Sequence, residues 1–234
     1  MDVKKQLNSN PLVGSDDHLT SDDAGSVAQI VATQAKALNI NKHKLFLASA
    51  SPRRQQLLEQ IGILADEILP ADIDESPIKG ESVSKMTARL AQDKAQKIAA
   101  KITDGFVLAA DTAIEIGGKT LGKASSADDV MKMISKLSGK KHRVYTSVVL
   151  IKVVNGVVDK SGIKTSKTIL TLKKLTEQEL KEYVISGLGI GREGGFNIQT
   201  QMEAFVKSIN GSFSGIIGLP LYETYNLFTG LGFW

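Results

Sequence analysis

Leu45-Phe46-Leu47-Ala48-Ser49-Ala50-Ser51-Pro52-Arg53-Arg54 is the stretch on which the reading of this chain turns. Leu45 to Leu47 is an apolar run of strand type, and the small residues Ala48 to Ser51 lead from it into a helix. Pro52 suits a first helical turn, where its missing N–H would have no intrahelical partner, and Ser51 before it is a good N-cap residue. The helix continues through Leu57, Leu58 and Ile61 and stops at Gly62, a natural residue past a helix end. Small residues let backbone close on a ligand, a helix N-terminus offers free N–H groups, and Arg53 and Arg54 add two guanidinium forks. The pattern describes a phosphate site. The competing reading is a basic face turned to solvent, in which each arginine opposes the helix dipole by a few tenths of a kcal/mol.

Working outward, 234 residues, 42% of them hydrophobic, suffice for one large domain or two small ones. Lys and Arg together number 29 against 25 Asp and Glu. That mild excess suits anionic small molecules and falls short of a nucleic-acid binder. Cysteine is absent, which excludes disulfides, thiolate metal sites and a cysteine nucleophile and makes a reducing compartment natural. No window approaches about 18 consecutive apolar residues and no apolar leader begins the chain, so neither a membrane span nor a secretory signal is expected, and the cytoplasm is the expected location.

Residues 1–43 differ from the rest. The first 25 are polar and turn-rich, with too few apolar side chains to fold alone, so a poorly ordered extension is expected, with a possible short helix capped by Ser26. The folded domain is expected over residues 44–234. After the first helix, Asp72, Asp74 and Glu75 fall on a loop before Pro77, where they could reach a metal or face water. Ser82 then opens an amphipathic helix through Val83, Met86, Leu90, Ala91 and Ala95, with Arg89 and Lys94 free to point to a cleft or to solvent.

Gly105 to Thr112 reads as a buried strand that delivers Asp111 at its C-terminal edge, where open α/β sheets place ligands; otherwise Asp111 caps a turn. Gly117-Gly118 makes a hairpin, and Lys123 follows its second strand. Ser126 caps a helix from Asp128 to Leu137. His142 to Ile151 is a strand, hairpinned by Asn155-Gly156; a histidine at its start is structural or a proton-transfer group. Thr176 and Glu179 form a capping box before another helix. Glycines 187, 189, 191, 194 and 195 then give a loop that either approaches a ligand closely, acts as a lid, or is a plain connection. Helices alternate with strands at first and hairpins follow, so the sheet should be mixed.

These motifs, in this order, resemble the Maf family of nucleoside triphosphate pyrophosphatases. The residues that carry the resemblance are Ser49 to Arg54, Asp74-Glu75, Lys94 in its helix, Ala110-Asp111-Thr112 with Lys123, Ser138-Gly139 with His142 and Thr146, Ile198-Gln199, and Gly218 to Leu221. The resemblance implies an α/β, ITPase-like fold, an elongated mixed sheet flanked by helices in two lobes around a deep cleft, and a cytoplasmic homodimer. It implies hydrolysis of a nucleoside triphosphate to the monophosphate and pyrophosphate with Mg²⁺ or Mn²⁺. Asp111 would be the proton acceptor, Glu75 and Asp111 the metal carboxylates, and Lys94 and Lys123 the catalytic cations. Arg53, Arg54, Ser49 and Ser51 would hold phosphates.

Three positions bear on the base. Arg53, Thr112 and Gln199 match the branch acting on dTTP and UTP and not the 7-methyl-GTP branch, so the pyrimidine branch is expected. A purine or 7-methyl-GTP pyrophosphatase, or a nucleotide-binding regulator of septum formation, is the alternative. The chain departs from the family where Lys-Ala-Gly-Ala-Tyr-Gly-Ile-Gln-Gly is usual and Arg192-Glu193-Gly194-Gly195-Phe196-Asn197-Ile198-Gln199-Thr200 stands here. Ala124 also follows Lys123 where proline is usual.

Overall fold

Strand and helix alternate through β1 (Leu45–Leu47), α1 (Pro52–Gln60), β2 (Glu67–Ile68), α2 (Val83–Ala99), β3 (Gly105–Ile116), β4 (Lys119–Leu121) and α3 (Ala127–Leu137). There follow β5 (Lys141–Val154), β6 (Val157–Leu172), α4 (Glu177–Ile185), a 3₁₀ turn (Gln201–Phe205), β7 (Val206–Asn210), α5 (Phe213–Ile217) and α6 (Leu221–Leu231). The structure, a computed structural model, describes residues 43–234. The extension over residues 1–43, with its expected helix from Ser26, lies outside the described residues except for His43.

Among the described residues, seven strands form one sheet in the order β2-β1-β3-β5-β6-β7, with β4 paired to β3. β1 runs parallel to β2 and β3, and the remaining pairings are antiparallel, so the sheet is mixed as expected. The helix starts are the ones the capping residues announce. Ser82 accepts from the Lys85 amide, Ser126 from the Asp129 amide, and Thr176 and Glu179 exchange both bonds of a capping box. Gly117-Gly118 and Asn155-Gly156 turn the two hairpins with positive φ at all four residues, the backbone that a tight two-residue turn demands.

Both faces of the sheet are covered. α2 lays Ala91, Ala95, Ile98 and Ala99 against Val107, Ala109, Val149 and Ile151. The small residues on both sides let this helix sit close to the strands. The larger core on the other face joins Leu57 and Leu58 of α1, Val130, Ile134 and Leu137 of α3, Tyr183 of α4 and Leu227 and Phe228 of α6 to Leu108, Ala110, Val148 and Leu150.

One expectation is corrected. Asp111 does not end its strand, because Thr112 to Ile116 is itself strand-competent and continues to pair with β5 and β4, so the turn waits until Gly117. β1 does stop, at Leu47, so Asp111 lies on a long strand beyond the end of its shorter parallel neighbour. β7 and α5, which carry no strong local signal, also belong to the fold.

Gly211 sits where β7 hands over to α5, at φ +131, and a Cβ there would lie 2.7 to 2.9 Å from Thr168 Oγ1, Thr168 Cα and Lys167 O. Two of those atoms are backbone or Cα and cannot swing away. Gly211→Ala should therefore lose at least about 2 kcal/mol in urea unfolding. Gly118→Ala, at φ +76 with nothing within 4 Å, should lose about 1 kcal/mol.

Candidate active site

A cavity of about 390 Å³ opens where β1 ends, lined by the Ala48–Arg54 turn, the Pro70–Glu75 loop, Lys94, Asp111, Thr112, Lys123, the Gly191–Phe196 loop and Ile216–Gly218. The Ala48 amide still bonds Leu108 O at 2.8 Å, after which the chain turns away from β3 and leaves its edge open. Alternation along β3 then sends Asp111 and Thr112 to opposite faces. Asp111 meets α2, where Lys94 Nζ donates to its Oδ1 at 2.7 Å. Thr112 faces Thr146, whose hydroxyl donates to Gly215 O at 2.7 Å and lies in hydrogen-bond reach of Thr112 Oγ1 at 3.1 Å.

Lys94, which the sequence left between cleft and solvent, is buried, and its ammonium also lies 2.6 Å from Glu75 Oε1. Lys123 Nζ stands 3.7 Å from Glu75 Oε2 and 3.9 Å from Glu193 Oε1. Asp111, Lys94, Glu75, Lys123 and Glu193 thus form a chain of alternating charge. Burial opposes the charge on Glu75, but Lys94 and Lys123 outweigh it and hold the carboxyl below the usual range. Burial lifts Glu193 to about 7, helped by the negative charges of Asp111 and Glu75 and opposed by Lys123 and Lys94.

Of the three acids on the loop before Pro77, only Glu75 lines the cavity. Asp74 accepts from the Ser76 amide in a local turn, and the Asp72 carbonyl takes a bond from Lys97. Arg89, doubly bonded to Glu81, also donates to Ser76 O and so secures the loop that carries Glu75.

Ser51 occupies the N-cap of α1, yet its side chain makes no cap bond. Ser49 Oγ accepts from the Ser51 amide at 3.2 Å and from Arg54 Nη1 at 3.0 Å. Arg54 Nε donates to Gly218 O at 2.9 Å, so this guanidinium pins the turn to the α5–α6 connection. Arg53 has a buried Nε without a hydrogen-bond partner among the described residues. Its pKa falls to about 10 through burial and then the charges of Arg192 and Arg54. A cation so placed is matched to an anion.

Ser49, Ser51, Arg53, Arg54, Glu75, Lys94, Asp111, Thr112 and Lys123 therefore share one cavity. Gln199 does not join them: it is exposed and is not among the lining residues. Upstream of it the glycine-rich loop is fixed by Tyr183 OH, which donates to Gly195 O and accepts from the Asn197 amide, and the Gln199 backbone amide donates to Asn197 Oδ1. The same loop is clamped to the segment after β4 by bonds from Ala124 to Arg192 O, Gly191 to Ala124 O and Gly194 to Gly122 O. Those clamps bring Arg192 and Glu193 into the cavity. Arg192 had gone unassigned; the signal for it was a charge pair set between glycines.

The chain belongs to the Maf-like protein family, whose family profile matches residues 44–231. A protein of Caulobacter vibrioides named dTTP/UTP pyrophosphatase is 42% identical over 189 residues, 81% of this chain and 96% of that protein. A nucleoside triphosphate pyrophosphatase of Orientia tsutsugamushi is 41% identical, covering 81% of this chain and 92% of its own length. Among solved structures, a HAM1 protein from Coxiella burnetii aligns at a TM-score of 0.43 with 16% identity over 80% of this chain and 99% of that one.

His142 stands beside this site without entering it. It is buried, stacks edge-on against Phe196 at 5.9 Å, and neither ring nitrogen has a hydrogen-bond partner among the described residues. Burial lowers its pKa to about 4, and only the Lys140 backbone favours the charged form. A base with a depressed folded pKa stabilises the fold above its unfolded value and loses that contribution as pH falls toward the folded value. The advantage of wild type over His142→Asn in urea unfolding should therefore narrow by about 2 kcal/mol between pH 7 and pH 4.5. A gap independent of pH over this window would show that the ring is not held neutral.

Proposed function

We propose that this protein is a nucleoside triphosphate pyrophosphatase that hydrolyses dTTP and UTP to the monophosphate and pyrophosphate. The observation that carries the reading is a carboxylate pair, Asp111 and Glu75, in one cavity with Arg53, Arg54, Lys94, Lys123 and Arg192. The names of relatives 41–42% identical over most of the chain agree with it.

The Asp111 and Glu75 carboxylates each give one oxygen to the Lys94 ammonium, at 2.7 and 2.6 Å, so the two acids stand side by side with a second oxygen each. No cluster of three or more acidic, histidine or cysteine side chains that could hold a metal occurs among the described residues. Two carboxylates suit Mg²⁺ or Mn²⁺, ions that keep waters and complete their shell with substrate phosphates. Held by Glu75 and Asp111, such an ion would shield the charge of the phosphates and of the leaving pyrophosphate.

Lys94 occupies Oδ1 of Asp111 and leaves the second oxygen to orient water. As the water oxygen bonds to the α-phosphorus, the bond to the α,β-bridging oxygen breaks, and the water proton passes to Asp111. Arg53, Arg54, Lys123 and Arg192 neutralise the polyphosphate, which is most of what such chemistry asks of a protein. The pyrimidine preference rests on Arg53 and Thr112, because Gln199 lies outside the cavity. The resemblance extends the reading to a cytoplasmic homodimer with the nucleotide in a deep cleft between two lobes.

Asp111→Asn should lower kcat by about 10²- to 10⁴-fold while nucleotide binding persists. Turnover at the wild-type rate would remove Asp111 as the base. Pyrophosphate release measured with Mg²⁺ or Mn²⁺ over UTP, dTTP, CTP, 7-methyl-GTP and the common purine triphosphates should favour UTP and dTTP. Activity confined to another base would keep the chemistry and overturn the base assignment, and no release from any of them would favour a nucleotide-binding regulator.

A further inference from the structure

A second cavity, of about 250 Å³, shares Glu75, Asp111, Thr112, Lys123 and Glu193 with the first, so the outer half of the charge chain forms the wall between them. Lys123 is the most exposed charged side chain of that wall. It is 60% exposed, and its two contacts, at 3.7 and 3.9 Å, are longer than those that fix Lys94. Glu193 is only 26% exposed, and an antiparallel backbone bridge sets it directly opposite Lys123. Nothing in the proposed chemistry uses Glu193. It is nevertheless the third negative charge in a cavity with five cations, and the one that the clamped loop inserts there.

We propose that Glu193 is a positioning residue that holds Lys123 on the carboxylate wall and so makes the site discriminate against a triphosphate that arrives without its divalent cation. The inference rests on the reading of this cavity as a triphosphate site. A bare triphosphate must take Lys123 from two carboxylates and then face both of them. A cation-complexed triphosphate brings positive charge for the carboxylates and releases the lysine to the phosphates. Removing the charge of Glu193 leaves Lys123 on Glu75 alone and raises the excess of cations in the cavity, which favours the bare polyanion far more than the complexed one.

The test is calorimetric titration of the full chain with inorganic tripolyphosphate, in EDTA and then in Mg²⁺, at pH 8. Burial lifts the Glu193 carboxyl to about 7 among Lys123, Asp111, Glu75, Lys94 and Arg53, and at pH 8 it is ionised. Glu193→Gln should bind tripolyphosphate in EDTA about tenfold more tightly than wild type. The gap should shrink to about twofold or less in Mg²⁺, and Glu193→Asp, which keeps the charge, should stay near wild type. A merely structural role would give Glu193→Gln weaker binding in both buffers, and that result, or equal binding in EDTA, overturns the proposal. Wild type that binds tripolyphosphate in neither buffer would instead overturn the triphosphate reading itself.

Discussion

The Lys94 ammonium, held at 2.6 and 2.7 Å between Glu75 and Asp111, is the interaction on which the rest of the site depends. A buried cation is tolerated only when its loss of hydration is matched by well-placed negative charge. Three separate elements must agree to supply that match. β3 brings Asp111 to the α2 face, α2 must lie close enough for a lysine to reach it, and the loop before Pro77 must return Glu75 to the same point. The close approach of α2 follows from Ala91, Ala95 and Ala99 packing on Ala109 and Val107, and the loop's return from Arg89 bonded to Glu81 and Ser76 O.

The cavity itself arises from a mismatch of strand lengths. β1 spans three residues and β3 twelve, so the sheet has an open edge beginning just past Leu108. Loops that would otherwise lie on the surface converge there, each fastened by bonds to backbone. Arg54 reaches Gly218 O, Thr146 reaches Gly215 O, and the Gly191–Phe196 loop is clamped to residues 122–124 and to Tyr183. Charged side chains are therefore presented from a scaffold whose peptide groups are already paired, which suits a site that must be set before its ligand arrives.

What the sequence made legible was local. Strand, turn and helix from Leu45 to Gly62, the capping serines, the Thr176–Glu179 box and the two hairpins each follow from interactions among neighbouring residues. Asp111 was legible as a site residue, yet its place within its strand was not, because the end of a strand depends on which partners continue beside it. Arg54 and Gln199 show the same limit. A guanidinium that bonds a carbonyl 164 residues away, and an exposed amide at the end of a loop held by Tyr183 of α4, are decided by tertiary contacts. The acidic loop was ambiguous for a related reason: Asp72, Asp74 and Glu75 differ little in type, so the family resemblance and then the fold, and not local pattern, single out Glu75.

The energetics of the cavity run against stability in several places at once. Arg53 is left with a buried unpartnered Nε beside two other guanidinium groups, and Glu193 is lifted to about 7 beside two other acids. Neither arrangement improves packing, and a neutral side chain at either place would relieve it. Such conflicts concentrate where a ligand resolves them. A triphosphate with its cation carries both signs of charge in one body, negative toward Arg53, Arg54 and Arg192 and positive toward Glu75 and Asp111. Arginines crowd one another around Arg53 and acids crowd one another around Glu193, and a ligand that carries both signs of charge relieves both sets together.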